Sequence, residues 1–402
     1  MRFEKSPGPQ EASRILRQIV SRPPKMAARR VEGPLAVYGA GKFGQMALEL
    51  LDHVGVTPDC VVDVRAADFR ELPYWAGRKL VTPDELTRDQ RAALTLGVSI
   101  ATLPFESLAQ QLAPQGWKEI TPFYDIAEAY RAVYPLSNGW VWDRVDEMDL
   151  DFLDRVLARW DDDVSRAHHL QFLAWHRLRE DWTFDDAPVN QGDRYFIPEV
   201  LAVLDRCPRF LDVGAHQGEV AQRYLAQCGK ATQLWLVEPD AKNAARIRNW
   251  LATLPARQAQ MVALLTDAVA DRPARQPFFS GIGYASQLTS VGGELRDVTT
   301  LDALNLNPSY IKLHLEGAEL NALKGAVQTL RRHHPLVAMT TYHNTLGVWE
   351  APYWLMQELQ THAAGYQFKF RTHSWVGTGG VMYAIPARDV LAGDPLFQEP
   401  RT

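Results

Sequence analysis

The sequence predicts an α/β protein made of two Rossmann-like domains joined by a helical linker. Three observations carry this. Apolar, strand-like runs alternate with helix-spaced segments over residues 34–135, and the same alternation returns from Phe210 onward. A glycine-bearing turn follows the first strand of each stretch. Between them, Val156, Trp160, Val164, Leu170 and Leu173 recur at helical spacing. The domains expected are an N-terminal extension at 1–33, an accessory nucleotide-binding-type domain at 34–135, a helical linker at 136–200 and a larger domain at 201–402.

Composition bounds the class. The 402 residues are 46% hydrophobic and 23% charged, an ordinary globular balance. A net charge of −5 argues against a general binder of nucleic acid or membrane surfaces. Cys60, Cys207 and Cys228 have no metal-ligand or disulfide spacing, which fits a reducing compartment. No signal-like h-region opens the chain, and no apolar run reaches the roughly 18–20 residues of a membrane span. The expectation is a soluble, cytoplasmic protein. The sequence leaves the oligomeric state open.

In the first domain LAVYGAG opens a strand, KFGQMALELLDHVG continues as a helix, and CVVDV is a second strand. The turn holds Gly39, Gly41 and Gly44 in GxGxxG spacing, and Asp63 ends the next strand. This is a dinucleotide fingerprint in its proper context. Three readings compete: a site for NAD or a nucleotide sugar, a Rossmann-like module used for packing, and an active oxidoreductase. The last lacks a Tyr-x-x-x-Lys pair or another hydride-transfer constellation.

In the linker, the run Asp161, Asp162 and Asp163 is read as a solvated helix face rather than a metal site. Beyond Phe210 the strand candidates are FLDVGA, QLWLVEPD, AQMVALLTDAV, ELRDVTTL, YIKLHLEG, LVAMTTYHN, YQFKFRTHS and GGVMYAIP. A short glycine-rich loop joins the last two, so they should pair as an antiparallel hairpin. A parallel sheet closed by such a hairpin resembles the seven-stranded methyltransferase sheet.

That resemblance implies S-adenosylmethionine as cofactor. Gly214 and Gly218 bracket the turn after FLDV, at the carboxyl end of the first strand, where open α/β sheets bind ligands. Asp212 precedes the turn and is placed to accept from the cofactor's amino group or a turn amide. Glu238 ends the second strand, where a carboxylate can accept from both ribose hydroxyls. Asp267, ending the third, is placed for the adenine amino group. The turn lacks the pyrophosphate fingerprint, which favours S-adenosylmethionine over a dinucleotide.

YIKLHLEGAELNALKGA, with LDVGAHQGE, VEPD, FFSGIGYASQLTS, TTLDAL, TTYHN and RTHSW…VMYAIP, is similar to the FkbM family of methyltransferases over roughly residues 208–388. The resemblance implies methyl transfer to a hydroxyl, often on a sugar or glycan-like metabolite. One position departs: His314 stands where the family usually has aspartate.

Lys312, His314 and Glu316 alternate and so share one side of a strand. His314 and His343 are candidate bases and Glu316 a candidate catalytic carboxylate; Glu319 reads as a helix cap. Tyr342, Arg371 and His373, at or near strand ends, are candidate substrate contacts. No strict metal-ligand spacing is present, so no metal is expected. The rival functions are an NAD- or nucleotide-sugar-dependent oxidoreductase or epimerase centred on the first glycine turn, and a non-catalytic binding protein.

Overall fold

A computed structural model describes residues 1–137, 141–142, 145–362 and 365–387. Parts of the expected linker (138–140 and 143–144) lie outside the described residues, as do 363–364 and the stretch from 388 to 402.

Besides a two-stranded sheet that pairs Arg2–Phe3 with Thr183–Phe184, the strands of the larger sheets, in chain order, are β1 (Leu35–Tyr38), β2 (Cys60–Val62), β3 (Leu80–Val81), β4 (Thr95–Val98), β5 (Glu119–Pro122), β6 (Arg209–Val213), β7 (Gln233–Val237), β8 (Val262–Leu265), β9 (Ala268–Val269), β10 (Ala274–Phe279), β11 (Gln287–Leu288), β12 (Glu294–Thr299), β13 (Tyr310–Leu313), β14 (Leu336–Thr340), β15 (Tyr366–Thr372) and β16 (Gly380–Pro386). β1 to β5 form a parallel sheet in the order β3-β2-β1-β4-β5. The second sheet runs β8-β7-β6-β13-β14-β16-β15. Its first five strands are parallel, and β16 enters antiparallel to both β14 and β15. Seven strands and a terminal hairpin are as the sequence predicts.

Strand alternation sends side chains of the second sheet to two cores. Leu211, Val213, Ile311, Leu313, Val337 and Met339 pack with the linker helices Glu147–Arg159 and Asp163–Leu178. Phe210, Tyr310, Leu336 and Ala338 pack on the other face with Tyr224 and Ile247. A central parallel sheet covered on both faces reads as continuous apolar runs, and it does so here.

Some elements depart from expectation. ELRDVTTL is not in the seven-stranded sheet: β12 belongs to a separate four-stranded sheet, β9-β12-β10-β11. The helix-spaced segment AELNALKGAVQTLRRHH breaks at Gly325, where a Cβ would lie 2.1 Å from the Ala270 carbonyl oxygen, giving Glu319–Lys324 and Val327–His333. The aspartate run sits at the start of a helix rather than along one of its faces, with Asp161 and Asp163 exposed as expected and Asp162 partly buried. Asp161 accepts from the Phe368 amide, Asp162 caps the helix Asp163–Leu178 and binds Lys369 and Arg371, and Asp163 pairs with Arg166. The linker is thereby fastened to the edge strand β15. The N-terminal helix Pro9–Val20 buries Ala12, Ile15, Leu16 and Ile19 in the core of the second sheet, not the first. All three cysteines are buried free thiols. Among the described residues no helix is long and apolar enough to cross a membrane.

Candidate active site

The carboxyl ends of β6, β7 and β13 open into a cavity of about 560 Å³, within the usual range for small-molecule sites. One end is formed by the 214–218 turn and Glu238. The Glu238 carboxylate is buried and accepts from the amides of His216 (2.7 Å) and Asp240 (2.9 Å). Burial pushes its pKa up to about 7, against the amide hydrogen bonds from Asp240 and His216 and the charge of Lys312, with the Asp240 carboxylate adding a smaller upward push. Gly214 has φ +76°, and a Cβ there would lie 1.9 Å from the His314 carbonyl oxygen. The turn can therefore approach β13 only as glycine.

Asp212 is placed differently from expectation. It is fully buried and sits opposite Lys312 in the register of β6 and β13. The two form an ion pair at 2.8 Å, and Lys312 Nζ also donates to the Gly214 carbonyl at 2.6 Å. Asp212 thus holds the turn from behind and does not line the cavity. Asp267 is exposed and does not line it either; Ala268 and Val269 do.

The other end of the cavity gathers His314, Glu316, Tyr342 and His343. β13 stops at Leu313, so His314 lies just beyond it and Glu316 sits in a turn with φ +53°. That turn folds Glu316 back onto His314, whose Nε2 is 2.9 Å from Glu316 Oε1. His343, from the end of β14, brings its Nε2 to 3.3 Å of the same oxygen and stacks on His314 at 5.0 Å. Tyr195 meets His314 Nδ1 at 2.8 Å, and Glu319 Oε1 meets His343 Nδ1 at 2.9 Å. Glu319 also accepts from the amides of Leu315 and Gly317, so it braces the turn rather than serving only as a helix cap.

Burial dominates the titration of His314 and, with Arg194 and His343 adding to it against Glu316, pushes its pKa down to about 3. His343 goes the other way. Burial opposes its charge, but Glu316 and Glu319 on either side raise it well above the usual histidine range. Burial would likewise raise Glu316, and the neighbouring imidazoles overcome it and hold the carboxyl well below the usual range. The raised value favours the protonated form of His343, which weighs against the general-base role expected of it.

Tyr342 lines the cavity as expected; its hydroxyl accepts from Arg194 at 2.8 Å and lies 3.2 Å from His314 Nε2. Arg371 and His373 do not. Arg371 binds Asp162 and Glu199, and His373 binds Asn190, Asp193 and Tyr383. Both are fastenings under the edge of the sheet. Sequence reasoning missed Arg194, Tyr195, Tyr284 and the contribution of the first domain. Phe43 and Tyr124, stacked at 4.3 Å, form part of the cavity wall. Tyr284 lies within the FFSGIGYASQLTS segment and Phe43 within the first glycine turn, but neither pattern assigns them to this cavity, which they reach through packing between distant segments.

The first glycine turn has the shape of its fingerprint. Gly39 has φ +113°, and a Cβ on Gly44 would lie 1.9 Å from the Gly39 carbonyl oxygen. Asp63, however, accepts from the amides of Ala40 (2.7 Å) and Arg65 (2.8 Å). Ile282, Ala285 and Val376, from the other half of the chain, are buried in the same apolar cluster as β1, β2 and β4. Gln287 donates to the Pro135 carbonyl, and Ser374 and Trp375 donate to that of Ala101. These contacts favour the packing module among the three readings, and NAD or a nucleotide sugar finds no support.

The family model described as "Methyltransferase FkbM domain" matches residues 212–368. A solved structure titled methyltransferase FkbM, from Methylobacillus flagellatus KT, is similar at 20% identity and TM-score 0.60, covering 94% of this chain and 98% of its own. At that identity the likeness is one of fold. The methyltransferase domain of a bacterial CtHen1 (14% identity, TM-score 0.31) covers 49% of this chain and 100% of its own. Precorrin-6y C5,15-methyltransferase from Geobacter metallireducens GS-15 (16%, 0.28) covers 50% and 96%. No curated protein matches the sequence.

Proposed function

We propose that the chain, whose residues 212–368 match the methyltransferase FkbM domain model, transfers the methyl group of S-adenosylmethionine to a hydroxyl on a sugar, glycan or related metabolite. The observation that carries this is Glu238, a buried carboxylate at the end of β7, beside the 214–218 turn and facing the cavity. The donor set fits the cofactor. A carboxylate suits the two ribose hydroxyls, and Ala268, Val269, Phe278 and Leu288 offer an apolar slot for a purine ring.

The cofactor supplies a methyl group already activated on a sulfonium. The residues of the chain then have three tasks. The 214–218 turn and Glu238 hold the nucleoside and fix the direction of its methyl group. The wall of Phe43, Tyr124 and Tyr284 excludes water and offers aromatic faces to a sugar ring. The group of His314, Glu316 and His343 meets the acceptor oxygen at the far end and takes up its proton as the methyl group leaves the sulfonium, releasing S-adenosylhomocysteine. Methyl transfer needs that oxygen in line with the reacting bond at about 3–3.5 Å, and holding it there can supply most of the acceleration.

The reading is tested with methyl-labelled S-adenosylmethionine and a fractionated pool of hydroxyl-bearing sugars and small glycans. Label is expected in an O-methylated product, with transfer reduced at least tenfold in Glu238→Gln. Cofactor binding with no label transferred to any acceptor would contradict it.

A further inference from the structure

We propose that His314, Glu316 and His343 form a divalent-cation site, of the two-histidine, one-carboxylate type, facing the acceptor end of the cavity. The three ligand atoms lie within 4.8 Å of one another. Both imidazole Nε2 atoms converge on Glu316 Oε1, at 2.9 and 3.3 Å. Tetrahedral coordination at about 2.0–2.1 Å would set neighbouring ligand atoms ~3.3 Å apart, so small side-chain adjustments suffice.

The surroundings are those of a metal site as well. A metal-binding histidine usually has its second ring nitrogen fixed by a hydrogen bond, which selects the tautomer and aims the ring. Both histidines here have that arrangement. His314 Nδ1 meets the Tyr195 hydroxyl, and His343 Nδ1 meets the Glu319 carboxylate, which itself accepts from Thr340 and two amides. His343 is buried, and the group its Nε2 faces is Glu316 Oε1 at 3.3 Å. Two carboxylates, Glu316 and Glu319, flank one imidazole, so the pocket gains from a bound positive charge. Arg194 holds the opposite side by donating to the Tyr342 hydroxyl.

Two nitrogens and one oxygen form a borderline donor set, suited to zinc, iron(II) or cobalt(II) rather than to magnesium or calcium. Three protein ligands leave positions open, as in catalytic rather than structural sites. All three residues line the cavity, so an open position can take an oxygen donor from the acceptor. Ligands from the β13 turn and from the end of β14, 27 residues beyond Glu316, explain why no ligand spacing marks the site in the sequence.

The role in holding an acceptor oxygen rests on the proposed methyl transfer; the cation site itself does not. The full-length protein, stripped with a chelator, is titrated with Co(II) and followed by visible absorption and calorimetry. One Co(II) per chain is expected, with ligand-field bands that shift when acetohydroxamate, an oxygen chelate, is added. His314→Asn and Glu316→Gln should each weaken binding by more than tenfold. Glu319→Gln leaves all three ligands in place and should weaken it about 10- to 100-fold through His343. Thermal midpoints establish that each variant is folded; should the ligand variants not fold, Glu319→Gln and Tyr195→Phe provide the readout. Absence of Co(II) bands in the wild type, or equal affinity in the folded variants, overturns the site. Calorimetry with S-adenosylmethionine runs in parallel: Co(II) binding without cofactor binding leaves the site standing and removes the methyl-transfer reading, and the reverse result removes the site alone.

Discussion

The two glycine turns of this chain share a local design and face different surroundings. In each, a strand runs into a turn with a positive-φ glycine, and an acid ending the next strand accepts a turn amide at 2.7 Å: Asp63 from Ala40, Glu238 from His216. In each, one glycine packs where a Cβ would come within 1.9 Å of a carbonyl oxygen, Gly44 against Gly39 and Gly214 against His314. The difference lies at the mouth. The Glu238 turn opens into the cavity, whereas segments around Ile282 and Val376 are packed against the first sheet. The same motif thus opens onto a cavity in one place and lies in a sheet packed against the other half of the chain in the other, and what covers the strand ends makes the difference.

The largest expected effect comes from the close-packed glycines. Gly214→Ala and Gly44→Ala should each destabilise the protein by ~3 kcal/mol or more, since neither carbonyl can retreat without moving a strand or turn. If both variants fold at reduced temperature, the first should lose cofactor affinity and the second should keep it, as calorimetry would report. Equal loss in both would break the distinction between the turns.

The acids give a sharper contrast. Glu238→Gln should weaken S-adenosylmethionine binding by more than tenfold, in keeping with ~1.5–3 kcal/mol for hydrogen bonds to a charged group. Asp63→Asn should leave that affinity within twofold. The same carboxylate predicts a pH dependence. Its pKa of about 7 in the ligand-free protein, set mainly by burial and tuned by Asp240 and Lys312, means that it is increasingly protonated as pH falls through 7. Ribose hydroxyls favour the ionised form, so cofactor affinity should rise from pH 6 to pH 8 and level off above. The stability of the free protein should move oppositely: the proton taken up on folding gives a gain that is complete below the ordinary carboxyl value of about 4.5 and is lost as pH rises through about 7. A flat affinity profile would remove Glu238 from the ribose site.

The smallest effect on binding should come from the edge of the second sheet. Arg371→Gln breaks contacts with Asp162 and Glu199 and should lower the thermal midpoint by several degrees, while cofactor affinity and methyl transfer stay within twofold. A large loss of turnover at unchanged stability would restore Arg371 to the substrate pocket.

Much of this molecule can be read along the chain because its determinants are local. Strand alternation, turn glycines and the acids ending β2 and β7 are fixed by neighbours in sequence, and all are where the sequence predicts them. Asp212 and Asp267 show the limit. Both stand at strand ends as the pattern requires, but the facing register decides their use: Lys312 opposite Asp212 turns it into a buried ion pair, and Asp267 points outward while Ala268 and Val269 face the cavity. Arg371 and His373 were read by strand position as cavity residues and are drawn instead into ion pairs with linker segments whose placement no local rule gives. The meeting of His314, Glu316 and His343 depends on a left-handed backbone at Glu316 and on a neighbouring strand, neither of which leaves a spacing to find.

The central claim is that the second turn, and not the first, holds the nucleoside. Calorimetry on one preparation of the full chain, with S-adenosylmethionine and then with NAD, addresses it directly. One S-adenosylmethionine per chain, with Glu238→Gln abolishing or strongly weakening the heat and NAD giving none, is the predicted result. Saturable NAD binding that Asp63→Asn abolishes, with no heat from S-adenosylmethionine, would contradict it.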